Sequence, residues 1–218
     1  MPCEFSLAHY RDTLNMDPHL FGRAKDRPKI ILAHDVDLFP PYALQMAKVE
    51  HSLGVRATYF ILQHSEFYNA MSPENMAIWK EIRGMGHEIG LHYNGEYSPD
   101  LSIAHFAFAK MFNADSIELA LHLNGLTPQP EIPPYLHDRR EFAKEGYAYI
   151  ADSGGWWRDK CICQHLHEKL LFVCHPIWWN TGADSLSPLT TDAIGVLLSA
   201  KSKWDKLVRD HRLKGMAK

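Results

Sequence analysis

The fold is decided by the stretch Lys29-Ile30-Ile31-Leu32-Ala33, a short apolar run that leads directly into His34-Asp35-Val36-Asp37. A continuous apolar run of this length is typical of a strand buried on both faces, as strands are in parallel sheets. Pro40-Pro41 then begins a predicted helix that ends at Gly54. We therefore expect a buried strand with acidic residues at its carboxyl end, followed by a helix.

The same alternation of strands and helices continues along the chain. Further strands are predicted at 56–62, 87–91, 147–151 and 170–174, and helices at 75–83, 103–123, 139–145 and 191–212. This order predicts an α/β fold with a parallel sheet, open or closed into a barrel. Residues 1–28 are polar and are expected to form an irregular lead-in segment, with residues 29–218 as a single domain.

The composition limits the class of protein. The 218 residues are 46% hydrophobic and 22% charged, the balance of a soluble globular domain that needs no disulfide for its stability. A net charge of -3 argues against nucleic acid as a partner. The first residues lack a basic region followed by an apolar run, and no segment is long enough to span a membrane. We therefore expect a cytoplasmic protein with its four cysteines reduced, and homo-oligomerisation is left open.

Acidic residues and histidines follow directly on four predicted strands, namely Asp35 and Asp37, His92, Asp152 and His175. Because ligands of parallel α/β folds collect at the carboxyl ends of the strands, we expect these side chains at one site. Asp35 and Asp37 would share one face of a continued strand, where two carboxylates repel unless a cation or a proton intervenes. A carboxylate with His92 suits zinc or a related divalent metal. The pair Asp35 and Asp37 alone supports a solvated turn or a helix cap about equally well.

Three motifs in order resemble the polysaccharide deacetylase superfamily (NodB homology, carbohydrate esterase family 4). They are His34-Asp35-Val36-Asp37, Gly54-Val55-Arg56-Ala57-Thr58-Tyr59-Phe60 and Gly86-His87-Glu88-Ile89-Gly90-Leu91-His92, with looser likeness at 149–156 and 171–176. The form of the first motif, and His175-Pro176 followed by tryptophans, are similar to deacetylase-like proteins of O-antigen and other surface-polysaccharide biosynthesis. The resemblance implies an irregular (β/α) barrel of about seven parallel strands. It also implies metal-dependent hydrolysis of an N-acyl (acetyl or formyl) amide on an amino sugar or saccharide precursor.

The resemblance further implies a role for each matching residue. Asp35 is expected to be the general base and His175 the general acid, with Asp37 and His92 as ligands of a divalent metal, most consistent with zinc. The family usually has a second histidine four residues after the first, and here that position is Glu96. Glu96 is therefore the expected third ligand, with His137 as the alternative. Substrate contacts are expected from Tyr93, Tyr135, Asp152, Trp156 and Trp178.

The chain also departs from the family pattern in ways that keep other functions open. Ile132-Pro133-Pro134-Tyr135 lacks the arginine that the family has before the prolines, so Arg139 or Arg140 would have to replace it. One alternative is a catalytically weakened or inactive carbohydrate-binding homologue on the same fold. The other alternative is a hydrolase of another non-peptide C–N bond.

A second group of metal-binding residue types occurs in Cys161-Ile162-Cys163-Gln164-His165-Leu166-His167. On a strand the two thiols and two imidazoles would share one face and could bind a metal. A straight strand would spread these ligands too far apart, so an irregular polar loop or edge is the favoured interpretation. Six other histidines are expected to be helix-face or structural residues, namely His51, His64, His87, His105, His122 and His211.

Overall fold

A computed structural model describes residues 3–65, 67–94, 100–114, 117–122, 131–152, 157 and 161–181. Within these ranges, one parallel sheet contains seven strands: β1 (Phe21–Gly22), β2 (Ile30–Val36), β3 (Thr58–Leu62), β4 (Glu88–Tyr93), β5 (Leu119–Leu121), β6 (Ala148–Ala151) and β7 (Leu170–Cys174). The strand order is β5-β4-β3-β2-β7-β6, and β1 pairs with the start of β2. The sheet curls into a half-barrel, which confirms the predicted α/β class and irregular barrel architecture.

Five α-helices accompany the sheet in the described residues: α1 (Leu7–Met16), α2 (Pro40–Ser52), α3 (Pro73–Gly84), α4 (Leu101–Met111) and α5 (Pro176–Thr181). Proline fits the first turn of α2 because the amide hydrogen that it lacks would have no partner within the helix. The side chains of Ser72 and Asp100 accept hydrogen bonds from the first turns of α3 and α4. None of these helices has both the length and the apolar composition needed to cross a lipid bilayer. The helix predicted at 191–212 lies outside the described residues.

Strand β2 is the centre of the sheet. All seven of its residues are buried, because it lies between β3 and β7. The register places His34 beside Tyr59 on one side and Cys174 on the other. The carboxyl end of β2 therefore lies level with the ends of its two neighbours, and Asp35 is at this end.

A buried carboxylate connects the sheet to the helices beneath the strand ends. Glu50 on α2 accepts hydrogen bonds from the Tyr10 hydroxyl at 2.5 Å and from the Tyr59 hydroxyl at 2.8 Å. His34 Nε2 lies 2.6 Å from the same carboxylate and donates to it. All four side chains are fully buried, so Glu50 joins α1, α2, β2 and β3 through polar contacts that need each partner.

The expectation of an irregular segment before residue 29 is wrong. Ser6 caps the start of α1 by accepting a hydrogen bond from the His9 amide at 3.1 Å. Tyr10 and Leu14, one helical turn apart, are fully buried in the same core as the strands. The apolar stripe of α1 is only this narrow, so a mostly polar composition obscured the helix.

The predicted helix at 103–123 is also wrong in its second half. The α4 helix ends at Met111, and Asn113 then adopts a left-handed backbone conformation with φ of 50° that a helix cannot continue through. Leu119–Leu121 instead forms the short strand β5 beside β4. His122 therefore follows a strand end. The helix predicted at 139–145 is a 3₁₀ turn, Arg139–Ala143.

Candidate active site and metal centre

A cavity of about 400 Å³ lies at the carboxyl ends of the parallel strands. Its wall contains side chains from the ends of β2, β4 and β5, from β6 and β7, and from the 3₁₀ turn that follows β5 in the chain. The lining residues are Asp35, Asp37, His92, Leu121, His122, Arg139, Arg140, Tyr149, Leu171 and His175. Of the five side chains expected at one site, Asp35, Asp37, His92 and His175 line this cavity, and Asp152 does not.

Asp35 is buried and paired with an arginine. Arg139 Nη2 donates to Asp35 Oδ2 at 2.7 Å, and Arg139 Nη1 donates to Asp35 Oδ1, so the contact is bidentate. The guanidinium also lies over the ring of Phe60, with 5.4 Å between the guanidinium carbon and the ring centroid. Burial raises the pKa of Asp35, but the charges of Arg139 and His92 outweigh this and hold that pKa well below its usual range. Asp35 is therefore ionised at neutral pH.

Of the two arginines considered from the sequence, Arg139 reaches the site carboxylate. Arg140 Nε instead donates to Asp138 at 2.7 Å, and its side chain is half exposed. Arg139 is aimed inward because it begins the 3₁₀ turn, which Asp138 caps by accepting a hydrogen bond from the Arg140 amide.

Asp37, His92 and His122 form a compact cluster of donor atoms. His92 Nε2 lies 3.3 Å from Asp37 Oδ1 and 3.0 Å from His122 Nδ1, and His122 Nδ1 lies 3.6 Å from Asp37 Oδ1. One donor atom from each residue lies within 4.8 Å of the others. The three side chains come from the carboxyl ends of β2, β4 and β5; β4 and β5 are neighbours, and β3 lies between β4 and β2.

The donor atoms of this cluster fit a divalent metal. The carbonyl of Ala120 can only accept, so His92 Nδ1 donates to it at 3.0 Å, and in the neutral imidazole that binds a metal Nε2 presents a lone pair toward Asp37. Asp37 Oδ1 is buried and accepts no hydrogen bond from the residues that the structure describes. Burial lowers the pKa of His92, but the charge of Asp35 and the hydrogen bond and charge of Asp37 raise it, because the position between the two carboxylates attracts positive charge. Two imidazoles and one carboxylate form a typical set for catalytic zinc, which keeps one coordination position open.

The third donor of this cluster differs from the one expected from the sequence. Glu96 lies outside the described residues. His137 is not part of the cluster. It directly precedes Asp138, which pairs with the first residue of β5, whereas His122 follows the last residue of β5, so the two histidines lie at opposite ends of this strand. The ring nitrogens of His137 lie 2.8 Å from Glu118 and 3.2 Å from Arg27. The alternative of His137 as a ligand is therefore wrong in this geometry.

His175 follows β7, faces Asp35 and Asp37, and is held by Asp152. Asp152 accepts hydrogen bonds from the His175 amide at 3.0 Å, from His175 Nδ1 at 2.5 Å and from Trp179 Nε1 at 2.7 Å. Burial lowers the pKa of His175, but the hydrogen bond to Asp152 and the carboxylates of Asp152, Asp37 and Asp35 raise that pKa to about 9. His175 Nε2 then faces Asp37 Oδ2 at 3.7 Å. Asp152, expected to contact substrate, is fully buried and orients His175 instead.

The other expected substrate contacts do not line the cavity in the described residues. Tyr93 is buried in the hydrophobic core, and Trp178 is half buried and packs against that core. Tyr135 is 69% exposed and donates to Ser102 Oγ at 2.9 Å. Trp156 lies outside the described residues.

Besides two leucines, two lining residues were missed from the sequence, His122 and Tyr149. The signal for His122 is the apolar triplet Leu119-Ala120-Leu121 directly before it, which repeats the pattern of a short strand followed by a polar side chain. The signal for Tyr149 is weaker. It belongs to a strand that was predicted, but Tyr149 is 57% exposed and lies at the rim of the cavity.

Comparisons with known proteins give fold-level likenesses only. No protein-family model matches the chain, and the curated proteins give no match. A family 4 carbohydrate esterase from Bacillus anthracis is 14% identical with a TM-score of 0.43, over 92% of this chain and 91% of that one. A CE4 family pseudoenzyme from Bacillus anthracis is 12% identical with a TM-score of 0.39, over 80% of this chain and 60% of that one. A chitin deacetylase from the fungal pathogen Colletotrichum lindemuthianum is 18% identical with a TM-score of 0.38, over 79% and 83%. All three TM-scores are below 0.5, so these likenesses carry no argument about function.

Proposed function

We propose that the protein is a metal-dependent hydrolase that removes an N-acyl group, acetyl or formyl, from an amino sugar or saccharide precursor. The observation that supports this most is the arrangement within one cavity. The cluster of Asp37, His92 and His122 shares this cavity with a carboxylate paired with arginine and an imidazole held by a second carboxylate. Amide hydrolysis needs a base for water, a polarising group for the carbonyl and an acid for the leaving nitrogen.

The first of these groups is Asp35. Its carboxylate stays ionised because Arg139 donates to both oxygens. A carboxylate has about four lone-pair positions, so the two bonds from Arg139 leave room for a hydrogen bond from water. In the proposed reaction, Asp35 takes the proton of the water that attacks the acyl carbon.

The polarising group is a divalent cation held by Asp37, His92 and His122. When bound, such a cation lowers the pKa of water and polarises the acyl carbonyl. Nitrogen and carboxylate donors in this number favour zinc or a metal of similar preference.

The acid is His175. It carries a proton at neutral pH because Asp152 accepts from its Nδ1, which directs Nε2 into the cavity. When the C–N bond breaks, Nε2 gives its proton to the departing amine. The products are a free carboxylate and an amino sugar.

The saccharide class is proposed from the sequence motifs together with the shape of the site. The resemblance to deacetylase-like proteins of surface-polysaccharide biosynthesis suggests an N-acylated sugar. The partly exposed ring of Tyr149 at the cavity rim offers an apolar face of the kind that packs against a sugar ring.

The alternative of an inactive carbohydrate-binding homologue rested on the missing second histidine. His122 supplies an imidazole beside His92 and Asp37, so this ground for doubting a metal site is weaker. We therefore treat the inactive homologue as an outcome of the test.

The test is an assay of acetate and formate release from a panel of N-acetyl and N-formyl amino sugars, with metal content measured on the same samples. We expect zinc-dependent release by the wild-type protein, and loss of one zinc equivalent together with activity in His122→Ala. Asp35→Asn is expected to keep its zinc and lose turnover. His137→Gln is the matched control and should keep both, because His137 lies with Glu118 and Arg27.

Two results would contradict the proposal. One is full zinc binding by His122→Ala. The other is a zinc-loaded wild-type protein that binds an amino sugar of the panel but releases no acid from it, which would favour the inactive homologue.

A further inference from the structure

A second cluster of metal-binding side chains lies outside the cavity. Cys3, His9, Cys161 and Cys163 each present one donor atom, and these atoms all lie within 4.8 Å of one another. Cys3 Sγ lies 3.6 Å from Cys163 Sγ, and His9 Nε2 lies 3.2 Å from Cys161 Sγ. None of the four lines the cavity described above.

The fold brings these four residues together from two distant segments. Ser6 caps α1, which places His9 in its first turn, and Cys3 lies just before this helix. Cys161 and Cys163 flank the start of the 3₁₀ turn Ile162–Gln164. The turn removes the objection that a straight strand would spread the thiols apart.

The two histidines of the Cys161–His167 stretch are not part of this cluster. His165 Nδ1 lies 2.8 Å from Glu168, and His167 is exposed beside the same carboxylate. Only the two thiols of that stretch are used, and the N-terminal segment supplies the other two donors.

The distances match tetrahedral zinc better than a disulfide. Two Zn–S bonds of about 2.3 Å at the tetrahedral angle place the sulfurs about 3.8 Å apart, and a Zn–N bond of about 2.0 Å places nitrogen and sulfur about 3.5 Å apart. The observed separations of 3.6 Å and 3.2 Å are close to both values. A disulfide would need its sulfurs about 2.05 Å apart, and all four cysteines of the chain are free thiols.

We propose that Cys3, His9, Cys161 and Cys163 bind a zinc ion as a closed structural site. Three thiolates and one imidazole complete a tetrahedral shell, which leaves no position for a reacting molecule. Gln164 Nε2 donates to Cys3 Sγ at 3.5 Å, an outer contact of the kind that supports a bound thiolate. A shared metal ion would account for the convergence of three free thiols and one imidazole from two distant segments.

This zinc site would stabilise the support of His175. The His9 ring stacks on Trp179, with 6.3 Å between centroids, and Trp179 donates to Asp152. Phe5, between Cys3 and His9, stacks on Trp157 at 4.9 Å and meets the edge of Trp179 at 5.3 Å. The site therefore joins the N-terminal segment to the elements that carry the catalytic imidazole. It does not depend on the proposed activity.

The experiment is replacement of zinc by Co²⁺ in the full chain under reducing conditions. Tetrahedral thiolate coordination gives cobalt a sulfur-to-metal charge-transfer band in the near ultraviolet, and the cluster of Asp37, His92 and His122 contains no sulfur. We expect the cobalt-substituted wild-type protein to show this band. Metal analysis of the zinc-loaded wild-type protein should give two zinc equivalents. His122→Ala should keep the band unchanged and lose one equivalent.

Cys3→Ser is the variant of choice because Cys3 lies ahead of α1 and is only partly buried. We expect its charge-transfer intensity to fall by about one third or more, and zinc affinity at this site to fall at least about tenfold. His167→Gln, an exposed residue of the same loop, is the control and should match the wild type. A wild-type protein that binds Co²⁺ without the band would overturn the proposal, as would a Cys3–Cys163 disulfide in place of bound metal. Because the band is measured on the wild type, a variant that fails to fold leaves the test intact.

Discussion

Replacement of Arg139 by methionine tests the electrostatic basis of the site. The side chains of Arg139 and Asp35 are 9% and 5% exposed, and the guanidinium contacts both carboxylate oxygens. Methionine keeps most of the side-chain length but leaves Asp35 buried without its main counter-charge. Removing one partner of a buried ion pair typically costs about 3–5 kcal/mol of folding free energy. Urea unfolding at pH 7 measures this cost.

Arg140→Met is the matched control for this measurement. Arg140 is the next residue and also forms an ion pair, but its side chain is 45% exposed. Asp138 is buried, but it keeps its hydrogen bond from the Arg140 amide, and solvent reaches the guanidinium of Arg140, so we expect loss of this pair to cost about 1 kcal/mol. We therefore expect Arg139→Met to cost at least about 2 kcal/mol more than Arg140→Met.

A double-mutant cycle with Asp35→Asn isolates the interaction. In the Asp35→Asn background the buried charge is already gone, so Arg139→Met should cost less by about 2 kcal/mol or more. The activity of Arg139→Met should also require a higher pH, because loss of the guanidinium raises the pKa of Asp35 and moves the acidic limb of kcat/KM upward. Equal costs for the two arginines, with no coupling to Asp35, would refute this reasoning.

Three further changes follow from other contacts. Asp152→Asn should lower kcat by about 10²–10⁴-fold with zinc content unchanged, because Asn offers one acceptor where three donors converge; an unaltered kcat would remove Asp152 from its positioning role. Glu50→Gln should cost about 2–4 kcal/mol of folding free energy, because burial raises the pKa of Glu50 but His34 and His87 lower it below its usual range. This cost is full above about pH 4.3 and shrinks as the pH falls further, and a cost independent of pH would contradict this. Gly90→Ala should cost about 1–3 kcal/mol of folding free energy, since a Cβ atom there would lie 2.6 Å from the Phe60 ring. Its control Gly84→Ala has open space and should be neutral or stabilising, and equal effects of the two variants would argue against the close packing at Gly90.

The central strands and four of the residues that line the cavity were predictable because their sequence signals are local. A continuous apolar run predicts a buried strand, and polar residues directly after such runs predict a site at one sheet edge. Asp35, Asp37, His92 and His175 were found in this way, and all four line one cavity. The sequence alone could also anticipate an arginine near the site, but not which of Arg139 and Arg140 faces inward.

The wrong predictions for β5 and His122 have physical causes that composition and periodicity do not reveal. A three-residue strand such as Leu119–Leu121 is too short to show a period, and its leucines extend the pattern of α4, so His122 was assigned to a helix face. The choice between His122 and His137 depends on which end of β5 each residue occupies.

The cluster of Cys3, His9, Cys161 and Cys163 was missed for a different reason. Its donors lie about 150 residues apart in the sequence, and their meeting depends on how α1 packs beside the 3₁₀ turn at 162–164. Local spacing within Cys161–His167 predicted only whether that stretch could form a site by itself. The interpretation of a loop was sound for His165 and His167 but could not anticipate partners from the N-terminal segment.

The identity of the third metal ligand is the point on which the account depends most. A crystal structure of the zinc-loaded protein, with anomalous diffraction recorded at the zinc edge, measures it directly. We expect an anomalous peak at the strand ends with about 2.0–2.2 Å to an Asp37 oxygen, to His92 Nε2 and to a His122 ring nitrogen. A peak bound by Glu96 in place of His122, or no metal between Asp37 and His92 in the zinc-loaded crystal, would contradict the account.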